Sequence, residues 1–205
     1  MSAPSIKGSA MQAVVDDLNQ LLASGALADA EASARLEPGD RELLRAGIHA
    51  GSWYPIDVYR RLLALLVGKE GRGDRESYLR RRGRAAAERI LRMGLYSHLE
   101  AAMRAAERAP DRWVEQVGRV MTTLSPAMFN FSKWEFVPGD ASRLFSLNVR
   151  EAGPLPDETR ILLQGFIEAL FTPFTSDPVR VVGRRASEDR IVFEGTWESP
   201  RRATS

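Results

Sequence analysis

The chain has 205 residues, 44% hydrophobic and 27% charged, with a formal net charge of only +2 and no cysteine. This is the composition of an ordinary folded globule with enough length to bury a sizeable core, and it excludes disulfides, thiolate catalysis and cysteine-ligated metal. No run approaches the ~20 apolar residues needed to cross a bilayer, and Met1 to Ala10 has neither the basic start nor the apolar core of a secretory signal, so a cytoplasmic protein without membrane contact is expected.

Met11 to Leu22 carries Val14, Val15, Leu18, Leu21 and Leu22 at helical spacing, with Gly25 as its stop. Ala28 to Leu36 fits a short second helix closed by Glu37-Pro38-Gly39, a turn signal, after which Asp40 serves as N-cap for a helix through Leu43, Leu44 and Ile48. Proline favours the first turn of a helix and holds the residue before it extended. A helix is therefore expected to start near Pro55, after Trp53-Tyr54, and to bury Ile56, Tyr59, Leu62, Leu63 and Leu66. The glycine-rich Gly68 to Asp74 reads as a loop. A long arginine-rich helix from about Asp74 to Met93, a break at Gly94, a helix from Leu95 to Arg108 and another opened by Pro110-Asp111 follow, and Pro126 marks the passage into a strand-rich part.

There the period changes to two. Trp134 to Val137 and Phe145 to Val149 alternate as half-buried strands around a turn at Pro138-Gly139-Asp140. Asp157 to Phe171 has a helical stripe of Leu163, Phe166, Ile167 and Leu170. Val179 to Val182 and Ile191 to Glu194 then form a hairpin. Gly165 inside that helix costs roughly 1 kcal/mol against alanine, which implies that the helix backbone packs closely on the sheet. The expected fold is α+β: one domain over 1–198, with a helical layer over about 9–124 packed on a ββαββ antiparallel unit over about 129–197, and a disordered tail at 199–205.

Catalytic patterns are missing. A zinc site needs three or four ligands, and neither His49 nor His98 has a second histidine three or four residues away. No Gly-x-Ser-x-Gly elbow occurs, and Gly51-Ser52-Trp53 lacks the small flanking residues that such a turn needs. Gly68-Lys69-Glu70-Gly71-Arg72-Gly73 departs from a phosphate-binding loop, because Asp74 follows where a lysine and a hydroxyl residue belong. Glu135, Glu151, Glu158 and Glu168 form no carboxylate pair of readable separation.

Only Lys7, Lys69 and Lys133 among the 29 basic side chains are lysines, a bias that also suits a GC-rich bacterial genome. The cluster Arg80, Arg81, Arg82, Arg84, Arg89 and Arg92 makes no single stripe: Arg81, Arg84 and Arg92 share a face, while Arg80 and Arg82 point elsewhere. With no helix-turn-helix, zinc-finger or RNP motif beside it, a solvated helix face paired with Glu76, Glu88 and Glu100 is expected, and a nucleic-acid regulator using residues 80–92 is the alternative. Aromatic residues gather near the predicted helix–sheet junction, where an apolar pocket with a few polar groups would form. His49, Trp53, Tyr54, Tyr59, Trp113, Phe131 and Trp134 are the candidate ligand-binding residues, against the reading that they only fill the core.

Ser5-Ile6-Lys7-Gly8 leading into an amphipathic helix resembles the opening of haem–nitric-oxide-binding domains. The ββαββ unit resembles both those domains and the smaller sensor domains named after vinyl reductase. The chain from about Ile6 to Trp197 is also similar to a myxobacterial paralogous family, through the Lys-Gly start, Trp53-Tyr54-Pro55 running into Tyr59 and Leu62-Leu63, and Gly165-Phe166-Ile167-Glu168. The resemblance implies a sensor-type α+β fold. Haem-binding members of that group use a proximal histidine and a Tyr-x-Ser-x-Arg motif; Tyr78-Leu79-Arg80-Arg81-Arg82 and Tyr96-Ser97-His98-Leu99-Glu100 both depart from it. No haem role therefore passes to His49 or His98, and no cofactor is expected. The resulting expectation is a non-enzymatic cytoplasmic sensor or protein-interaction module, with a protein partner, a homodimer or a small apolar ligand as its counterpart.

Overall fold

The computed structural model describes residues 2–92, 113–140, 143–172 and 178–197. The chain opens on a strand too short to show a period, β1 (Ser5–Lys7), which runs directly into α1 (Gly8–Ala23). Strand β1 pairs antiparallel with β2 (Trp53–Pro55), placing Ile6 opposite Tyr54 and Lys7 opposite Trp53. The first N–H groups of a helix lack partners within it; here Gly8 N donates to Ser52 O at 2.9 Å and Ser9 N to Ala50 O at 3.0 Å. Only glycine allows this approach, because a Cβ on Gly8 would stand 2.1 Å from the His49 carbonyl oxygen.

Helix α1 buries Met11, Val14, Val15 and Leu18, the face its spacing predicts. The short α2 (Asp29–Arg35) and α3 (Pro38–Ala46) follow. The expected turn at Glu37-Pro38-Gly39 is instead the start of α3, with Pro38 in the first turn that suits its fixed φ. Asp40 is accordingly not the N-cap: Glu37 is, and Asp40 closes a capping box by accepting from Glu37 N at 3.1 Å. Asp40 is buried and also takes a two-pronged contact from Arg61, Nε at 2.6 Å and Nη2 at 2.8 Å, which ties α3 to α4 (Ile56–Glu70). Helix α4 runs on through Gly68, three residues into the expected loop, and buries Tyr59, Leu62, Leu63 and Leu66 as predicted.

Helix α5 (Arg75–Arg92) starts where the sequence places it. The break at Gly94, the helix expected over 95–108, the Pro110-Asp111 helix start and the tail at 199–205 lie outside the described residues. Helix α6 (Trp113–Met128) contains Pro126; the proline stands near the helix end but does not end it.

Four strands follow: β3 (Lys133–Asp140), β4 (Arg143–Arg150), β5 (Val179–Ser187) and β6 (Arg190–Trp197), with α7 (Asp157–Phe171) between β4 and β5. Every pairing is antiparallel, in the order β3-β4-β6-β5. The fold is α+β, as expected. Pro138, Gly139 and Asp140 belong to β3 and not to the turn that follows it. Gly165 corrects another expectation: the surface it meets is α5, not the sheet. A Cβ on Gly165 would lie 2.0 Å from the Arg80 carbonyl oxygen, and one on Gly83 would lie 1.8 Å from that of Leu162. The two helices thus cross backbone against backbone through a glycine from each.

Candidate functional site

The sheet's helix-facing side carries Phe145, Leu147, Val149, Ile191 and Phe193, all fully buried. Phe145 stacks on Phe171 with ring centroids 4.4 Å apart and on Phe136 at 5.6 Å, so one aromatic column joins β3, β4 and α7. Two glycines make room for it: a Cβ on Gly195 would come within 2.2 Å of the Phe145 ring, and one on Gly118 within 2.2 Å of the Phe136 ring. The space between sheet and helices along this column is occupied by side chains.

The seven candidate residues fall into separate places. His49, Trp53, Tyr54 and Phe131 lie around β1. The Tyr54 ring turns inward, and its hydroxyl accepts from His49 N at 2.8 Å. Trp53 takes the outward position and is 42% exposed, with the Lys7 ammonium 4.6 Å from its ring centroid, a cation–π contact. Phe129 bridges Ile6, and Phe131 meets Phe129 edge-on at 5.8 Å. Asn130 fixes this junction, its Oδ1 accepting from Ser5 N at 2.7 Å and its own N–H donating to Ser5 O at 3.2 Å. Trp134 lies on β3, its indole N–H donating to Ser132 Oγ at 2.9 Å. Tyr59 is buried within α4, and burial pushes its phenol up to about 12. Trp113 begins α6, and its side chain lies outside the described residues.

The arginine helix departs from the expected solvated face. Arg80 does pair with Glu76, at 3.1 Å, but it also reaches inward, Nη1 to Glu168 Oε1 at 2.7 Å and Nη2 to Gln164 Oε1 at 3.0 Å. Arg84 approaches the second Glu168 oxygen at 3.4 Å. Arg82 pairs with Asp17 of α1 and lies near the Tyr78 hydroxyl. Two of the arginines that suggested phosphate contacts are thus half-buried ties between elements.

From α7, this polar cluster continues onto β5, one of the two edge strands of the sheet. Glu168 Oε1 accepts from Val181 N at 3.0 Å and Gln164 Oε1 from Gly183 N at 2.8 Å. Arg80 donates to Val181 O at 3.3 Å, and Arg160 donates to Gly183 O. Residues 160, 164 and 168 are one turn apart on α7, so one helix face supplies donors and acceptors where a neighbouring strand would. The spacing was legible in the sequence; its target was not.

The described residues bound clefts of moderate size, two of which stand out. One, of about 290 Å³, lies between α1, α4 and α5 and is lined by Asp17, Gln20, Glu70, Tyr78 and Arg82 among others. The other, of about 310 Å³, is a depression in the outward face of the sheet. Neither is lined by any of the seven candidates. Among the described residues no cluster of three or more histidine, cysteine or carboxylate side chains could hold a metal ion, and no helix is long and apolar enough to cross a membrane.

No protein-family model matches the sequence, and neither does any curated protein. Solved structures do match in fold. A variant of the T. tengcongensis H-NOX shares 15% identity at a TM-score of 0.54, covering 96% of this chain and 100% of that one. A Cs H-NOX carrying 4-cyano-L-phenylalanine shares 14% at 0.57, covering 96% and 98%. An oxygen-binding H-NOX domain related to soluble guanylate cyclases, in its oxygen complex, shares 14% at 0.50, covering 95% and 96%. The chain therefore has an H-NOX-like fold along nearly its whole length. Among the described residues, three stacked aromatic rings line part of the sheet's inner side, and His49 lies at the β1 corner beside Tyr54. His98 lies outside the described residues.

Proposed function

We propose that this chain is a non-enzymatic cytoplasmic sensor or protein-interaction module that uses an H-NOX-like fold without haem. The observation that carries this reading is the Phe136–Phe145–Phe171 column. It makes this part of the sheet's inner side packed core, with three rings and two close-fitting glycines. Such a column is worth more than its buried area, since stacked aromatic pairs add about 0.5–1.5 kcal/mol each. The domain then works through its surface and through the coupling of its elements. The Arg80–Glu168 cluster supports that coupling, because it joins α5, α7 and β5 in one hydrogen-bonded unit. No observation favours the nucleic-acid alternative, since Arg80 and Arg82 are engaged within the fold.

Titration with hemin tests the haem-free reading directly. Only weak, non-saturating absorbance is expected. A sharp stoichiometric Soret band that vanishes in His49→Ala or His98→Ala would overturn it. Native mass spectrometry of the purified protein is expected to give the mass of the polypeptide, as monomer or dimer; a retained apolar compound would replace the interaction reading with a ligand-sensing one.

A further inference from the structure

The sheet has a second face, turned away from the helices. Pairing aligns Val137, Ser146, Glu194 and Val182 in one row across all four strands, and Glu135, Asn148, Val192 and Arg184 in the next. Val137 and Val182, at the two ends of the first row, are 38% and 47% exposed; with Trp53 they are the exposed large apolar side chains of the described residues. The centre is low, because Ser146 and Val192 are small and buried, and the resulting depression holds about 310 Å³.

Charge on this face is uneven. Its carboxylates are matched, Glu135 by Arg150 at 2.6 Å and Glu194 by Arg184 at 3.7 Å. Lys133 turns to Glu151. Arg190 donates to a neutral partner, Asn148 Oδ1, at 2.6 Å, and Arg180 is exposed beside Val182 on the same strand. Among the described residues of this face two cations thus stand in excess, in a chain whose total is +2.

We infer that this face docks an acidic protein segment in which carboxylates alternate with small aliphatic residues. Carboxylates complement Arg180 and Arg190, and the aliphatic side chains cover Val137, Val182 and the Val192 floor. A second copy of the same face is disfavoured because it would oppose like charges. A nucleic-acid backbone is disfavoured because the valines offer nothing to phosphate. The inference rests on the reading of the chain as an interaction module, but the hemin and mass measurements report on that reading independently of this surface.

A fluorescein-labelled dodecapeptide of alternating glutamate and valine provides the test, by anisotropy at low and at physiological salt. Saturable binding that weakens with salt is expected. Arg180→Gln with Arg190→Gln should weaken it at least tenfold, and Val137→Asp with Val182→Asp should do the same, with unchanged circular dichroism melts as the check on folding. Arg81→Gln with Arg89→Gln, an equal loss of charge on α5, should change affinity less than twofold. No binding, equal loss in the α5 control, or displacement of the peptide by a 20-base-pair duplex through the same residues would overturn the inference, the last in favour of a nucleic-acid surface.

Discussion

Tyr59 shows how burial of one hydroxyl sets a pH limit for the molecule. Its phenol titrates at about 12 in the folded chain, against about 10 for an exposed tyrosine. The folded state keeps a proton that the unfolded state has already lost, so this contribution is full below pH ~10 and disappears as pH rises through 12. Two units correspond to roughly 1–3 kcal/mol. Urea melts between pH 9 and 12 should show stability falling along this range, and Tyr59→Phe should flatten most of the slope. Some slope should remain, because partial burial also raises Tyr78. An unchanged slope in Tyr59→Phe would show that the group is not buried. Trp53 is the opposite case. Deleting a buried large aromatic costs about 3–5 kcal/mol, but an exposed cation–π partner contributes only about 0.5–1 kcal/mol, so Trp53→Ala is expected to shift denaturant midpoints slightly.

At the scale of elements, the α5–α7 crossing reverses an ordinary rule. Alanine usually improves an exposed helix position over glycine by about 1 kcal/mol. At Gly83 and Gly165 the added methyl would meet a carbonyl oxygen of the facing helix at 1.8 and 2.0 Å. Gly83→Ala and Gly165→Ala should therefore each destabilise by about 1–3 kcal/mol or more, the usual range for overpacking. A gain in thermal unfolding temperature would show that the helices are further apart than described. Glu168 is a second such test. Its carboxylate satisfies Arg80, Arg84 and the Val181 N–H at once, and removing one member of a buried pair costs about 3–5 kcal/mol. Because Arg80 keeps some solvent contact, Glu168→Ala is expected near 3 kcal/mol in chemical denaturation. Glu168→Gln, which can still accept from Val181 N, should lose less.

Across the whole molecule, long periodic segments were legible and junctions were not. Asp157 to Phe171 reads as a helix with its observed limits because an apolar stripe from Leu163 to Leu170 recurs at helical spacing after the Gly-Pro-Leu-Pro break that precedes it. The pairing of β1 with β2 leaves no such trace: three residues are too few to show a period, and Gly8, which admits the contact, resembles any other glycine before a helix. Pro38 misled because proline and glycine signal both a turn and a first helical turn. The candidate site was harder still. The aromatic residues are real features of the β1 corner and the interior, but the Arg80–Glu168 contact spans 88 positions, and nothing local marks either residue as half of a pair.

The fastening of β5 also bears on how the chain is born. Synthesis proceeds from the N-terminus, so Arg160, Gln164 and Glu168 leave the ribosome before Val181 and Gly183. The strand's own hairpin partner, β6, arrives last. Bare strand edges recruit other chains, and half-folded intermediates expose them at micromolar concentrations. Here the outer edge of β5 can be covered by an older part of the same polypeptide while its inner edge still waits for β6. Gln164→Ala with Glu168→Ala should accordingly scatter light during refolding at concentrations where the parent chain stays clear, and the amide hydrogens of Val181 and Gly183 should exchange far faster in that variant. Equal turbidity would mean that the edge is harmless without its cover. The helix in front of the strand would then be a chaperone the sequence carries for itself in name only; with the turbidity, it is one in fact.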